Sequence, residues 1–169
     1  MRPGGRLVIY LSASLANGPL NARLRQALPE PDFELVLPQE FAPVRRAHPE
    51  YPRAIYQRCI DEMERCDAGL LLLDAFGVDC ASEAGWLCAR GTPLVGLAGA
   101  SLRFLQHWMV KGNLSSVITT DPDVDAAVAS DPILGGLPRR RVAEWTEIGS
   151  ALSALVEETR ALRPTKEGG

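Results

Sequence analysis

Histidine is almost missing from this chain: His48 and His107 are the only two in 169 residues. His48 falls in a loop and His107 on a helix face, without the nucleophile and carboxylate of a triad, so both are read as structural or solvated. Cysteine is also sparse. Cys59, Cys66, Cys80 and Cys88 form no CxxC pair and have no histidine at ligand spacing, which argues against a zinc site. Cys59 and Cys66 lie on one predicted helix, where seven residues rise roughly 10 Å, beyond the roughly 7 Å limit between bonded cysteines. Reduced thiols follow, as in a cytoplasmic protein. No metal and no cofactor is expected.

Long apolar runs are absent too. The longest, Ala68 to Leu73, is too short to span a bilayer, and Met1 to Gly5 leads directly into a strand-like segment rather than a signal peptide. No membrane partner is expected. Nor is there an excess of positive charge: 18 Lys and Arg against 21 Asp and Glu leave a net charge of −3, with no footprint for nucleic acid. The one basic run, Arg139-Arg140-Arg141, reads as a solvated turn.

What remains is an ordinary globular composition, 46% hydrophobic and 23% charged, and a length that suits one domain. Strand-like runs occur at Arg6–Leu11, Phe33–Leu37, Ala68–Leu73, Pro93–Leu97 and Ser116–Thr119. Between them, helical periodicity or start signals predict helices over Asn17–Leu28, Pro52–Arg65, Glu83–Arg90, Ser101–Val110, Asp121–Ala129 and Thr146–Leu162. Gly91 stands where a helix needs a left-handed residue to stop. Strand and helix alternate, which predicts a flavodoxin-like (Rossmann-like) α/β domain over residues 1–162. Its five-stranded parallel sheet has helices on both faces, and a flexible tail follows at 163–169. Ligands of such sheets bind beyond the carboxyl ends of the strands, so the loops at 12–17, 39–40, 74–82 and 98–101 are where chemistry is sought.

The third of these loops supplies Asp74, Asp79 and Ser82, and Glu83 follows at the start of a predicted helix. Two readings are open. In one, Asp79 or Ser82 caps the helix and Glu83 is a first-turn acid complementing the helix dipole. In the other, Glu83 is a carboxylate nucleophile for displacement at a sugar's anomeric carbon, with Asp79 as the acid that protonates the leaving base.

The segment Glu83-Ala84-Gly85-Trp86-Leu87-Cys88-Ala89-Arg90-Gly91-Thr92-Pro93 resembles the Glu-x-Gly-aromatic…Gly-x-Pro signature of the nucleoside 2-deoxyribosyltransferase family. Asp79-Cys80-Ala81-Ser82 resembles that family's Asp-x-Gly-Thr loop, and Ile9-Tyr10-Leu11-Ser12-Ala13-Ser14-Leu15 its first strand and loop. Leu37-Pro38-Gln39 and Cys66-Asp67-Ala68 are similar to the end of its second strand and the start of its third. The resemblance implies a retaining glycosyl mechanism on a nucleoside or nucleotide, with a free base or water as acceptor. Glu83 would attack C1′, Asp79 would protonate or orient the base, Tyr10 would position Glu83, and Gln39 would contact the base. Ser12, Ser14, Asp74 and Ser82 join the candidate substrate-binding residues. Trp86 is read either as core packing or as a stacking platform.

Trp108 to Ser116 lies where the family reaches into a neighbouring subunit's site. The resemblance therefore implies a homo-oligomer, with Asn113 and Ser116 as candidates and Phe104, Trp108 and Met109 as contacts. The chain departs from the pattern in a loop two residues shorter before Glu83, in Ala81 for the usual glycine, and in Cys59 where an Asp or Asn is common. Two alternatives accompany this reading. One is a nucleoside 5′-monophosphate N-glycosidase, its phosphate held by Ser12, Ser14 and the following helix with Arg23 or Arg53. The other is a non-catalytic nucleotide-binding domain.

Overall fold

A computed structural model describes residues 5–14, 18–41 and 50–162. The predicted tail, His48, most of the proline-rich loop around it and the last loop residues before the first helix lie outside the described residues. In chain order the elements are β1 (Leu7–Ser12), α1 (Gly18–Ala27), β2 (Phe33–Val36), α2 (Tyr51–Arg65), β3 (Ala68–Leu72), α3 (Val78–Ala89), β4 (Leu94–Ala98), α4 (Trp108–Asn113), β5 (Ser116–Thr119), α5 (Pro122–Ser130), β6 (Arg139–Arg141) and α6 (Ile148–Leu162). Among the described residues no helix is long and apolar enough to cross a membrane.

The six strands form one sheet in the order β2-β1-β3-β4-β5-β6, and every neighbouring pair is parallel. Strand order reverses between β1 and β3, which places the ligand crevice of this α/β architecture beyond the ends of those two strands. The central strands β3 and β4 are buried at every position, as both sheet faces are covered by helices. Ile9, Leu11, Leu70, Leu72, Val95, Leu97 and Ile118 face α1 and α6. Val8, Tyr10, Leu71, Leu73, Leu94 and Val117 face α2, α3, α4 and α5. This alternation follows from the two-residue period of a strand, and it assigns Tyr10 and Ser12 to the second face together.

The sheet has one strand more than the sequence predicts. Arg139-Arg140-Arg141 is not a solvated turn but the edge strand β6, paired to β5 through its backbone. Its side chains carry no apolar alternation; Arg139 pairs with Asp125 at 2.9 Å and Arg140 with Glu158 at 2.8 Å. The predicted helix at Ser101–Val110 is also redrawn. A short 3-10 turn at Arg103–Gln106 breaks at His107, and α4 then runs to Asn113. The turn drives Phe104 fully into the core, so it is no surface contact, while Trp108 and Met109 remain 75% and 80% exposed.

Helix α3 begins at Val78, five residues before its predicted start at Glu83, and ends where Gly91 adopts φ 74°. Its close seat on the sheet depends on Gly69 of β3: a Cβ there would lie 2.6 Å from Leu87 Cδ1 of α3 and 2.8 Å from Leu94 Cδ1 of β4. Both leucines are fully buried in the close-packed core, so either must shift its side chain to admit one. Gly69→Val is therefore expected to destabilise the fold by about 1–3 kcal/mol. The urea midpoint should fall with an unchanged slope, and an unaltered midpoint would show that α3 does not rest on this position.

Candidate active site

Strand β1 and helix α3 build the site between them. Tyr10 and Ser12, two residues apart, project from the same face of β1 near its carboxyl end, and α3 crosses above them. Glu83, the sixth residue of α3, points back at the strand. The Tyr10 hydroxyl donates to Glu83 Oε1 at 2.7 Å, and the Ser12 hydroxyl donates to Oε2 at 2.6 Å. Both carboxylate oxygens are thus held by hydroxyls from one strand, 73 and 71 residues away in sequence. Such charge-assisted bonds are short and strong relative to neutral ones.

The electrostatics are those of an acid taken out of water. Burial pushes the Glu83 carboxyl above its ordinary value, the Ser12 and Tyr10 hydrogen bonds pull it back down, and the charge of Asp79 pushes it up again. Burial and the neighbouring Glu83 charge raise Tyr10 far above the ordinary tyrosine range, so its phenol is a permanent donor. Cys59 of α2 completes this enclosure; burial raises its thiol, and it feels Tyr10, Glu83 and Asp79 together. Burial also raises Cys80, and it raises Cys66 to about 11, helped by Asp67. All four cysteines are free. Among the described residues no three His, Cys, Asp or Glu side chains converge as metal ligands.

Asp79 sits in the first turn of α3, exposed and one helical turn before Glu83. Neighbours at this spacing are about 5–6 Å apart at Cβ. The alternative in which Asp79 or Ser82 caps the helix does not hold, because the cap is Gly77 and no side chain bonds there. Ser82 is exposed and donates to the Val78 carbonyl at 3.2 Å along its own helix, away from the carboxylate.

Other predicted site residues are placed elsewhere. Asp74 spends both oxygens on the loop after β4, accepting from the N–H groups of Gly99 at 2.8 Å, Ala100 at 3.1 Å and Ser101 at 3.0 Å. It is a loop fastener rather than a substrate ligand. Ser116 lies fully buried on β5, on the sheet face opposite Glu83, and cannot meet a substrate there. Trp86 is partly buried against the core, with Nε1 enclosed and without a hydrogen-bond partner among the described residues and with Arg90 5.9 Å from its ring. Asn113, at the end of α4, rests against α3 of its own chain, with Nδ2 3.8 Å from the position a Cβ on Gly85 would take. Ser14 follows β1 in the loop beside the site. Gln39 belongs to the 3-10 turn after β2, and its side chain lies outside the described residues. Arg23 stacks on the Trp145 ring at 4.2 Å, while Arg53 is exposed on α2.

The Ser12–Glu83 bond leaves no local trace in the sequence. A small polar residue at a strand end looks like a loop residue, and only the crossing of α3 gives it a partner. A cavity of about 990 Å³ opens at the α3 N-terminus between Phe76, Val78, His107 and Trp108. Glu83, Tyr10 and Ser12 do not line it, and its single carboxylate, Asp74, is already committed. The groups able to do chemistry therefore cluster at Glu83.

A raised folded-state value makes stability depend on pH with a definite sign. Glu83 favours the folded state below the ordinary carboxylate value, and that contribution is lost as pH rises through its raised value. Glu83→Gln removes the dependence. The melting temperature of the variant relative to the parent should therefore be higher at pH 7 than at pH 4, and a difference that stays flat or reverses would contradict the buried, ionised carboxylate.

The comparisons with known proteins agree with the fold. No curated protein matches the chain in sequence. A solved structure described as a conserved protein from Enterococcus faecalis V583 is similar over 93% of this chain and 99% of its own, at 19% identity and a TM-score of 0.51. A 2-deoxyribosyltransferase from Bacillus psychrosaccharolyticus is similar over 88% of this chain and 95% of its own, at 12% identity and a TM-score of 0.51. At these identities the likeness speaks for the fold. The sequence pattern of the nucleoside 2-deoxyribosyltransferases matches residues 9–129, a stretch that holds Tyr10, Ser12, Asp79 and Glu83, and the chain belongs to that family.

Proposed function

We propose that this chain cleaves or transfers at the N-glycosidic bond of nucleosides through a covalent glycosyl-Glu83 intermediate. The carrying observation is the carboxylate itself: partly buried at the switch point of the sheet, with each oxygen held by a hydroxyl of β1. A carboxylate there is fixed in place and stabilises the positive charge that develops on a sugar as its anomeric bond opens.

In the first half-reaction a Glu83 oxygen bonds to C1′ as the C1′–N bond breaks. The bonding pair leaves with the base, whose nitrogen takes a proton from a carboxylic acid or water; Asp79, one turn before Glu83, is the residue proposed for this. In the second, a nitrogen of another base or a water oxygen attacks C1′ and gives its proton to the group that protonated the first base, as the Glu83–C1′ bond breaks and the carboxylate is released. Carboxyl groups one helical turn apart suit this retaining course better than the wider separation, about 6.5–9.5 Å, that inverting enzymes use. Tyr10 keeps its proton throughout and serves as a fixed donor. The exposed Trp108 and Met109 of α4 support oligomer contacts, since such residues are enriched in interfaces.

The nucleoside 5′-monophosphate reading loses ground, because two of its anchors are engaged: Ser12 with Glu83, and Arg23 with Trp145. The test is base release from a panel of nucleosides and their 5′-monophosphates, with and without a second free base. Glu83→Ala should lower turnover by roughly 10⁴-fold or more while the protein stays folded. Tyr10→Phe should lower it by about 10- to 100-fold, the worth of one hydrogen bond to a charged group. Acceptor dependence separates transfer from hydrolysis. Turnover that survives in Glu83→Ala would remove Glu83 as nucleophile, and no release from any substrate would favour a non-catalytic binding domain.

A further inference from the structure

Tyr10 alone does not account for the state of the nucleophile. Its hydroxyl reaches only Oε1, and its ring buries the carboxylate it serves. The second oxygen is answered by Ser12, which is itself fully buried and bonds Oε2 at 2.6 Å. The Ser12 hydroxyl also neighbours Cys80 of α3, through its carbonyl at 3.5 Å and through its thiol. With a single proton to give, it favours the shorter, charged contact. The remaining groups around Glu83 offer no comparable help. Beyond Tyr10 and Ser12, burial raises the thiols of Cys59 on α2 and Cys80 on α3, and Asp79 on α3 is a like charge. No cation faces Glu83 among the described ion pairs.

We infer that Ser12 is a positioning residue for the nucleophile, the donor that with Tyr10 keeps the enclosed Glu83 carboxylate ionised and in one orientation. The inference rests on the reading of Glu83 as nucleophile and assigns Ser12 to Glu83 rather than to the substrate. It follows from place: alternate residues of β1 point to one helix, and the long tyrosine and the short serine both reach the one carboxylate that α3 turns toward them. The Cys80 carbonyl then gives the Ser12 proton somewhere to turn when Oε2 no longer carries charge.

The test reads the carboxyl directly. In full-length protein carrying 13C-labelled glutamate, the Glu83 side-chain resonance is identified by its loss in Glu83→Gln and followed through a pH titration. Ser12→Ala should raise its midpoint by about one pH unit, because a hydrogen bond to the charged form has been removed. Ser12→Thr keeps the hydroxyl and should keep the parental midpoint. Thermal melts of both variants report on folding.

In base-release assays the acid limb of kcat/KM should move up by the same amount in Ser12→Ala, leaving the variant roughly tenfold slower below the limb. A serine that only fills space would slow the reaction at every pH without moving the limb. An unchanged Glu83 midpoint in Ser12→Ala, or an equal rise in Ser12→Thr, overturns the inference. A raised midpoint in a protein that releases no base from any substrate upholds the role of Ser12 and sinks the glycosyl-transfer reading instead.

Discussion

A carboxylate partly removed from water must be answered by donors, and the structure around Glu83 is arranged to answer it. An uncompensated buried charge would neutralise itself by taking up a proton. Tyr10 and Ser12 supply one hydroxyl to each oxygen, and both come from a single strand. The position of α3 over β1 is therefore the constraint on which the site depends. Much of the surrounding packing bears on it: Gly69 lets Leu87 seat closely, and Ala84 and Cys80 bury the face of α3 beside Glu83.

The parallel sheet explains why the site is where it is. Because strand order reverses between β1 and β3, the connections from these strands diverge to opposite faces and leave a crevice at their carboxyl ends. α3, which follows β3, can then turn a residue back over the end of β1. The loop between β3 and α3 is short, since Asp74 is fastened to the next loop and the helix has already started at Val78. Asp79 consequently sits on the helix with Glu83, at fixed spacing, rather than on a separate flexible loop. This holds the two carboxylates on one rigid element.

The departures from the family pattern take on physical meaning in this setting. Cys59 contributes a neutral thiol beside Tyr10 and Glu83, where a carboxylate would have added a second like charge to a site already burdened by Asp79. Ser12 adds a donor to the same site. Both features favour an ionised Glu83, one by leaving out a repulsion and the other by supplying an attraction. The buried Lys111–Asp131 pair, 2.5 Å apart, lies on another part of the same sheet face and belongs to the packing of α4 against the segment after α5.

The order of strands and helices was legible because apolar runs bounded by Gly, Pro and polar residues mark buried strands, and five of the six announced themselves this way. β6 did not, since an edge strand of three arginines needs only backbone pairing and carries no periodic signal. Motif order singled out Glu83, Asp79 and Tyr10, and the fold brings Tyr10 to Glu83. The remaining assignments were not legible. Asp74 and Ser116 have the right residue types near strand ends, but a side chain's duty depends on what crosses it. Asp74 meets backbone N–H groups, and Ser116 points to the other face. By itself the sequence determined the α/β layering and the identity of the central carboxylate, both properties of pattern and residue type. Only the tertiary structure decided that Ser12 serves Glu83, because that bond joins residues 71 apart and exists only when α3 lies across β1.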